Sequence, residues 1–234
     1  MHRKKIAVLT GAGMSADSGI ATFRDSGGLW EGADVMEVAS VDGWYRNPEK
    51  VLDFYNQRRR QLEQAEPNAG HRALADLESV YDVTVITQNV DNLHERGGSS
   101  DIIHLHGELT KVRPDESEGP VMEIGYTDIH MGDTDEKGRQ FRPHIVWFGE
   151  MVPMMEVAVD VVSRCDILII IGTSLLVYPA AGLVNMISPH TELFVIDRVK
   201  PDYQFLSRMT FIGKPAAEGT PQLVRRLLNK AGTV

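Results

Sequence analysis

Apolar residues along this chain fall into short unbroken runs separated by longer amphipathic stretches. Thr84-Val85-Ile86, Ile167-Leu168-Ile169-Ile170-Ile171 and Leu193-Phe194-Val195-Ile196 are continuous rather than alternating. Such runs suit strands buried on both faces, as in a parallel sheet covered by helices. Strands are predicted over 4–9, 82–87, 101–105, 145–148, 166–171, 193–197 and 209–212. Helical periodicity fills 48–65, 69–79, 152–164, 179–187 and 219–230. Asn47 reads as an N-cap with Pro48 at the first helical position. The alternation predicts a doubly wound, Rossmann-like α/β domain built on a parallel sheet.

Residues 108–143 break that rhythm. Polar turn segments, Pro114 to Pro120 and Gly132 to Gly138, flank a short apolar patch from Val121 to Ile129. The expected organisation is a main domain of 1–107 and 144–234, a small inserted module over 108–143, and a helical part of the small domain at about 33–66. Val121, Met122, Ile124, Tyr126, Ile129 and Phe141 are expected to form the module's minimal core. No internal repeat or low-complexity tract is present.

A chain of 234 residues can bury one substantial core. A net charge of −9 with no basic stripe argues against a nucleic-acid partner. It remains compatible with lysine-bearing protein segments. The single cysteine, Cys165, excludes an intramolecular disulfide and a thiolate metal cluster, and its position beside an apolar run reads as inert core. Ile167 to Ile171 is the longest apolar run, far too short to span a bilayer, and no signal-peptide stretch precedes the first strand. A cytoplasmic protein with no membrane partner is the expectation.

The chemistry concentrates at strand ends. Residues 10–25 read TGAGMSADSGIATFRD, in which Gly11, Gly13 and Ala16 fit the glycine pattern of a dinucleotide turn. Val51, Tyr55, Arg58 and Leu62 share one helical face, and an arginine within that apolar stripe demands an anionic partner or a route to water. His106 carries an imidazole that can take up a proton near neutral pH, though by itself it reads more readily as a structural histidine than as a general base. His104, two residues earlier, is expected to face away from it.

Further blocks join the glycine loop: TQNVDNLH at 87–94, HLHGEL at 104–109, PHIVWFGE at 143–150 and IGTSLLVYPA at 171–180. Taken together and in this order, they resemble the sirtuin family of NAD-dependent protein lysine deacylases over nearly the whole chain. In subclass the sequence is similar to the bacterial and mitochondrial group that removes acidic acyl groups. The resemblance implies NAD as cofactor. The pyrophosphate would be held by the amides of Gly11, Ala12 and Gly13 with the Ser15 hydroxyl, beside Ala16. Phe23, Arg24 and Trp30 would belong to a cofactor loop. Gln88, Asn89 and Asp91 would meet the ribose and the nicotinamide amide, and Gly172, Thr173, Ser174 and Asp197 the rest of the dinucleotide. In the family's chemistry the acyl oxygen attacks the nicotinamide ribose and nicotinamide leaves. A histidine, here His106, with Asn89 also placed among the catalytic residues, then removes a proton from a ribose hydroxyl. Free lysine and O-acyl-ADP-ribose follow. Tyr55 and Arg58, as Tyr-x-x-Arg, match the reader of a succinyl or malonyl carboxylate, and Ala39 the small residue that makes room for it. Val146, Phe148, Gly149, Glu150, Leu176 and Val177 would sandwich an acyl-lysine protein or peptide as an added strand.

The sequence departs from the family in several places. The inserted module usually carries a structural zinc on cysteine pairs; here Pro114 stands where a cysteine is expected, so no zinc is expected. Ala21 replaces a usual proline, and Asp197 replaces a common asparagine. Two other readings stand beside the deacylase: a protein mono-ADP-ribosyltransferase, and a non-catalytic NAD or ADP-ribose binding module. The sequence does not decide the oligomeric state.

Overall fold

The computed structural model describes residues 3–21, 29–30, 33–115, 119–201 and 209–232. In chain order the elements are β1 (Lys5–Thr10), β2 (Leu29–Trp30), β3 (Ala33–Asp34), α1 (Val35–Val38), α2 (Val41–Arg46), α3 (Pro48–Gln64), α4 (Ala69–Leu77), β4 (Asp82–Thr87), α5 (Leu93–Gly97), β5 (Ile102–His104), β6 (Gly107–Pro114), β7 (Met122–Glu123), β8 (Phe141–Ile145), α6 (Met155–Ser163), β9 (Ile167–Ile171), β10 (Glu192–Ile196), β11 (Thr210–Ile212) and α7 (Ala216–Ala231). Six of the strands form one sheet in the order β11-β10-β9-β1-β4-β5, and every pairing in it is parallel. This is the Rossmann-like α/β architecture that the apolar runs predict. No helix among the described residues is long and apolar enough to cross a membrane.

The continuous runs exist because both faces of the sheet are covered. Ile6 and Val8 of β1 and Ile167, Ile169 and Ile171 of β9 pack with Leu74 and Leu77 of α4 and Leu223, Val224 and Leu227 of α7. The intervening Ala7, Leu9, Leu168 and Ile170 point the other way, against Ala158 and Val162 of α6 and Leu183 and Val184. Alternate side chains of one strand thus serve two cores. Residues 180–186 form a 3-10 helix rather than the α-helix expected there. Cys165 is buried, and burial pushes its thiol up to about 11, in keeping with inert core.

A second, smaller body lies beside the sheet. β6 pairs with β7 on one side and β8 on the other, all antiparallel. The predicted strand at 145–148 is therefore displaced: β8 ends at Ile145 and belongs to this small sheet. The sequence reading also lacks β6. Its register shifts between Glu108 and Val112, which breaks the two-residue period that would reveal it. Leu109, Val112, Ile129, Ile145 and Trp147 share one core with Val35, Val38, Trp44, Val51, Leu52, Phe54, Tyr55 and Leu62 of the helices. The expectation for the module's core needs correction at Val121 and Met122, which are exposed. They sit at and beside β7, a two-residue edge strand with one neighbour.

Asn47 caps α3 by accepting from the Lys50 amide at 3.1 Å, with Pro48 at the first position. Two polar residues of α3 fasten the small sheet. Asn56 donates to the Ile129 carbonyl and accepts from the Ile129 amide, both at 2.9 Å. Arg59 is fully buried and donates to the Leu109 carbonyl at 2.8 Å. Its burial lowers the guanidinium to about 10.

His71 and His94 are completely buried, their rings 4.9 Å apart. His71 accepts from the Asn68 amide at the start of α4, and His94 meets the Thr10 hydroxyl at 3.1 Å. Burial pushes His71 down to about 4 and His94 well below its usual range. Both are neutral when folded, whereas an unfolded histidine takes a proton near pH 6.5. The stability they contribute is complete above that pH and declines as pH falls toward 4, by up to about 1.4 kcal/mol per pH unit for each. Urea unfolding at pH 7, 6 and 5 checks this. The pH slope should flatten in His71→Gln, and equal stability of the unmodified protein at all three pH values would refute it.

Candidate active site

A cavity of about 580 Å³ opens along the C-terminal ends of the parallel strands, where open α/β sheets place their ligands. The strand ends supply it in turn. Gly11 to Gly13 and Ser15 follow β1; Gln88, Asn89 and Asp91 follow β4; His106 follows β5. Gly172 to Ser174 follow β9, Asp197 follows β10, and Lys214 to Ala216 follow β11. Ala16 and Val146 also line the wall, as do Ala39, Tyr55 and Arg58 from the helical side.

Two of the amides expected at the pyrophosphate, those of Gly11 and Gly13, already have backbone partners. Gly11 donates its amide to the Ile171 carbonyl at 3.0 Å, and Gly13 donates to the Gly172 carbonyl at 2.9 Å. Those amides are not offered to a phosphate; they lock the first turn onto the one after β9. A Cβ on Gly13 would stand 2.7 Å from the Gly172 Cα. Gly172 is tighter still, with φ +61 and a built Cβ 2.4 Å from the Met14 nitrogen. Gly172→Ala should cost about 2–5 kcal/mol of stability, combining left-handed strain with overpacking. Gly182→Ala, where a Cβ meets nothing within 4 Å, serves as the neutral control in the same thermal melts.

The polar wall is a connected set. The Ser15 hydroxyl donates to Asp91 at 2.8 Å and accepts from the Asn89 amide group at 3.1 Å. Its hydrogen therefore goes to Asp91, not to the cavity. Asn89 also donates to the Gly11 carbonyl at 3.1 Å, and Gln88 donates to the Thr173 hydroxyl at 3.1 Å. Asp91 is buried, which raises its carboxyl above the usual range even though Ser15 and the Leu93 amide donate to it. Asp197 holds the Val199 amide at 3.0 Å.

His106 is half-buried, with Nδ1 3.0 Å from the Gln88 carbonyl. A carbonyl only accepts, so the neutral ring carries its hydrogen on Nδ1, and Nε2 is left with the lone pair that can take a proton. Burial lowers its pKa. Residues two apart on an extended strand share a face, but β5 ends at His104 and the alternation does not carry to His106; His106 lines the cavity and His104 does not. His104 reaches the neighbouring Asn89 carbonyl at 3.3 Å and pairs with Glu95 at 2.7 Å. Glu95, His104 and Glu108 lie close enough to share a cation. Lys111 already pairs with Glu108 at 2.6 Å, and Glu95 with His104 at 2.7 Å.

At the helical end, the predicted face of α3 is present: Val51, Tyr55, Arg58 and Leu62 are all buried. The Arg58 guanidinium lies 4.3 Å from the Phe54 ring centre. The Tyr55 oxygen accepts from the Trp147 indole at 3.0 Å, and burial raises the phenol's pKa. The segment 146–150 is tied to Ala39, whose carbonyl accepts from the Phe148 amide at 2.9 Å. Phe148, Gly149, Glu150 and Val177 line the cavity, whereas Leu176 is 77% exposed and outside it. Phe23 and Arg24, and the side chain of Trp30, lie outside the described residues. Sequence reasoning missed Gln61, Arg198 and Lys214 among the lining residues. The signals were present: Gln61 is three residues beyond Arg58, and the other two follow strands.

Comparison with known proteins agrees with this geometry. Residues 11–179 match the Sir2 family. The chain is 50% identical over 228 residues to a protein of Helicobacter pylori strain J99 named NAD-dependent protein deacylase, covering 97% of each. It is 50% identical over 230 residues to a protein of the same name from Bacteroides thetaiotaomicron, covering 96% of this chain and 98% of that one. Among solved structures, a Sir2 homologue in complex with NAD superposes with a TM-score of 0.88 at 36% identity, covering 98% of this chain and 91% of that one. With the strand-end cavity, the His106 imidazole and these matches in agreement, the chain belongs to the Sir2 family of sirtuins.

Proposed function

We propose that this protein uses NAD to remove acyl groups from lysine side chains of proteins, and that it accepts acidic acyl chains such as succinyl and malonyl. One observation carries the reading. A single cavity joins a half-buried imidazole with an available Nε2 to the dinucleotide-type turns on one side and to a buried tyrosine and arginine on the other.

The residues fit a dinucleotide. The volume lies within the range of small-molecule sites. The Asp91 carboxylate has acceptor capacity beyond its two donors, suited to an amide N–H. Asp197, at the end of β10, is placed as in sites where a carboxylate accepts from ribose hydroxyls. Bound NAD supplies an electrophilic ribose carbon with nicotinamide as leaving group. His106 takes a proton from a ribose hydroxyl at Nε2, while the Gln88 carbonyl holds the ring by Nδ1. Asn89 braces the first glycine turn through Gly11 and Ser15. Arg58 grips the distal carboxylate of an acidic acyl chain, which a guanidinium meets in bidentate fashion. On this reading the small sheet needs no zinc, and Asn56 and Arg59 hold it to α3 by hydrogen bonds.

The test is nicotinamide release from NAD. Release that requires an acyl-lysine peptide supports the deacylase. Release without such a peptide, with ADP-ribose attached to protein, replaces it with ADP-ribosyl transfer.

A further inference from the structure

We propose that Arg142 and Glu150 are positioning residues that set the acyl preference of the site through Trp147 and Tyr55; the proposal rests on the deacylase reading above. Arg142 is 3% exposed, and a guanidinium so buried needs a counter-charge. Glu150 supplies it. One carboxylate oxygen accepts from Arg142 at 2.8 Å and from Arg113 at 2.7 Å. The other accepts from Arg142 at 3.1 Å and from the Trp147 amide at 2.8 Å. Arg142 also donates to the Ile145 carbonyl at 3.0 Å. The charge cluster therefore closes on the backbone on both sides of Val146.

The guanidinium then does more than neutralise a carboxylate. It lies 3.3 Å from the centre of the Trp147 ring, a stacked cation–π contact in a desolvated place. Trp44 packs against the same indole at a centroid distance of 5.5 Å. Fixed by these contacts, Trp147 is 2% exposed and its Nε1 donates to the Tyr55 oxygen at 3.0 Å. That bond commits the Tyr55 hydroxyl's own hydrogen to another acceptor and sets its direction. Three contacts thus run from the Glu150 carboxylate to the phenol that lines the acyl end of the cavity.

A pair of buried charges serving stability alone would affect every substrate alike. One that aims Tyr55 weighs on acyl chains with a distal carboxylate, because an acetyl group ends in a methyl with nothing for the phenol or Arg58 to hold. Glu150 is thereby reassigned: its carboxylate is spent on the arginines and on Trp147, so it shapes the groove and does not itself read the peptide.

The experiment measures kcat and KM on matched succinyl- and acetyl-lysine peptides for the unmodified protein, Arg142→Met, Tyr55→Phe and the double variant. Arg142→Met should lower the succinyl-to-acetyl ratio of kcat/KM about tenfold, mainly through KM for the succinyl peptide. In the Tyr55→Phe background the same change should have little further effect, since residues acting through one another are not additive. An unchanged ratio, or fully additive effects, overturns the proposal. If Arg142→Met does not fold, Glu150→Gln replaces it in the cycle with the same expectations. If the unmodified protein acts on neither peptide in the presence of NAD, the deacylase reading itself is what fails.

Discussion

His106→Ala should cut deacylation of an acyl-lysine peptide by about 100- to 10,000-fold, the range that a positioned general base supplies. NAD affinity, read by titration calorimetry, should be nearly unchanged. The reason is local. The imidazole contributes one hydrogen bond to the wall, to the Gln88 carbonyl, while the turns after β1, β4, β9 and β10 supply most of the lining. A protein that only bound the dinucleotide would tolerate the substitution. The pH profile gives a second reading of the same group. Burial lowers the His106 pKa below its usual 6.5, and the neutral ring is the active form. The acid limb of kcat/KM should therefore lie below pH 6.5, with activity falling as pH drops through the folded pKa.

Arg58→Met should reduce kcat/KM for a succinyl-lysine peptide by about 10- to 150-fold, the worth of a hydrogen bond to a charged group. Activity on the acetyl peptide should change far less. The guanidinium is buried on the α3 face and lies over Phe54, so a methionine of similar length keeps the apolar packing and removes only the charge. Steady-state kinetics on the two peptides separates the effects. An equal loss on both would make Arg58 a structural residue of α3.

The parallel sheet was legible because burial on both faces writes itself as unbroken apolar runs, as in Ile167 to Ile171. The ends of those runs then located the candidate site, since the turns after β1, β4, β9 and β10 carry the glycines and the short polar residues. The small sheet was hidden for the opposite reason. β6 has an irregular register, and β8 is short and mixed with Arg142, Pro143 and His144. Buried charge was also illegible. Arg59 stands between two other arginines in the sequence, yet it is fully buried and donates to the Leu109 carbonyl, fifty positions away. The Trp147–Tyr55 bond spans ninety-two positions, and no local pattern announces it. Periodicity placed Arg58 on a buried face without showing what that face encloses. The glycine turn was legible from its pattern, but only the folded chain shows that the Gly11 and Gly13 amides donate to Ile171 and Gly172.

The central claim is NAD-dependent deacylation in the cavity that His106 and Arg58 share. Mass spectrometry of matched acetyl-lysine and succinyl-lysine peptides, incubated with the protein with and without NAD, tests it most directly. The account predicts loss of the acyl group only with NAD, one O-acyl-ADP-ribose for each lysine freed, and faster turnover of the succinyl peptide. Peptides left intact by a protein that still binds NAD would contradict it.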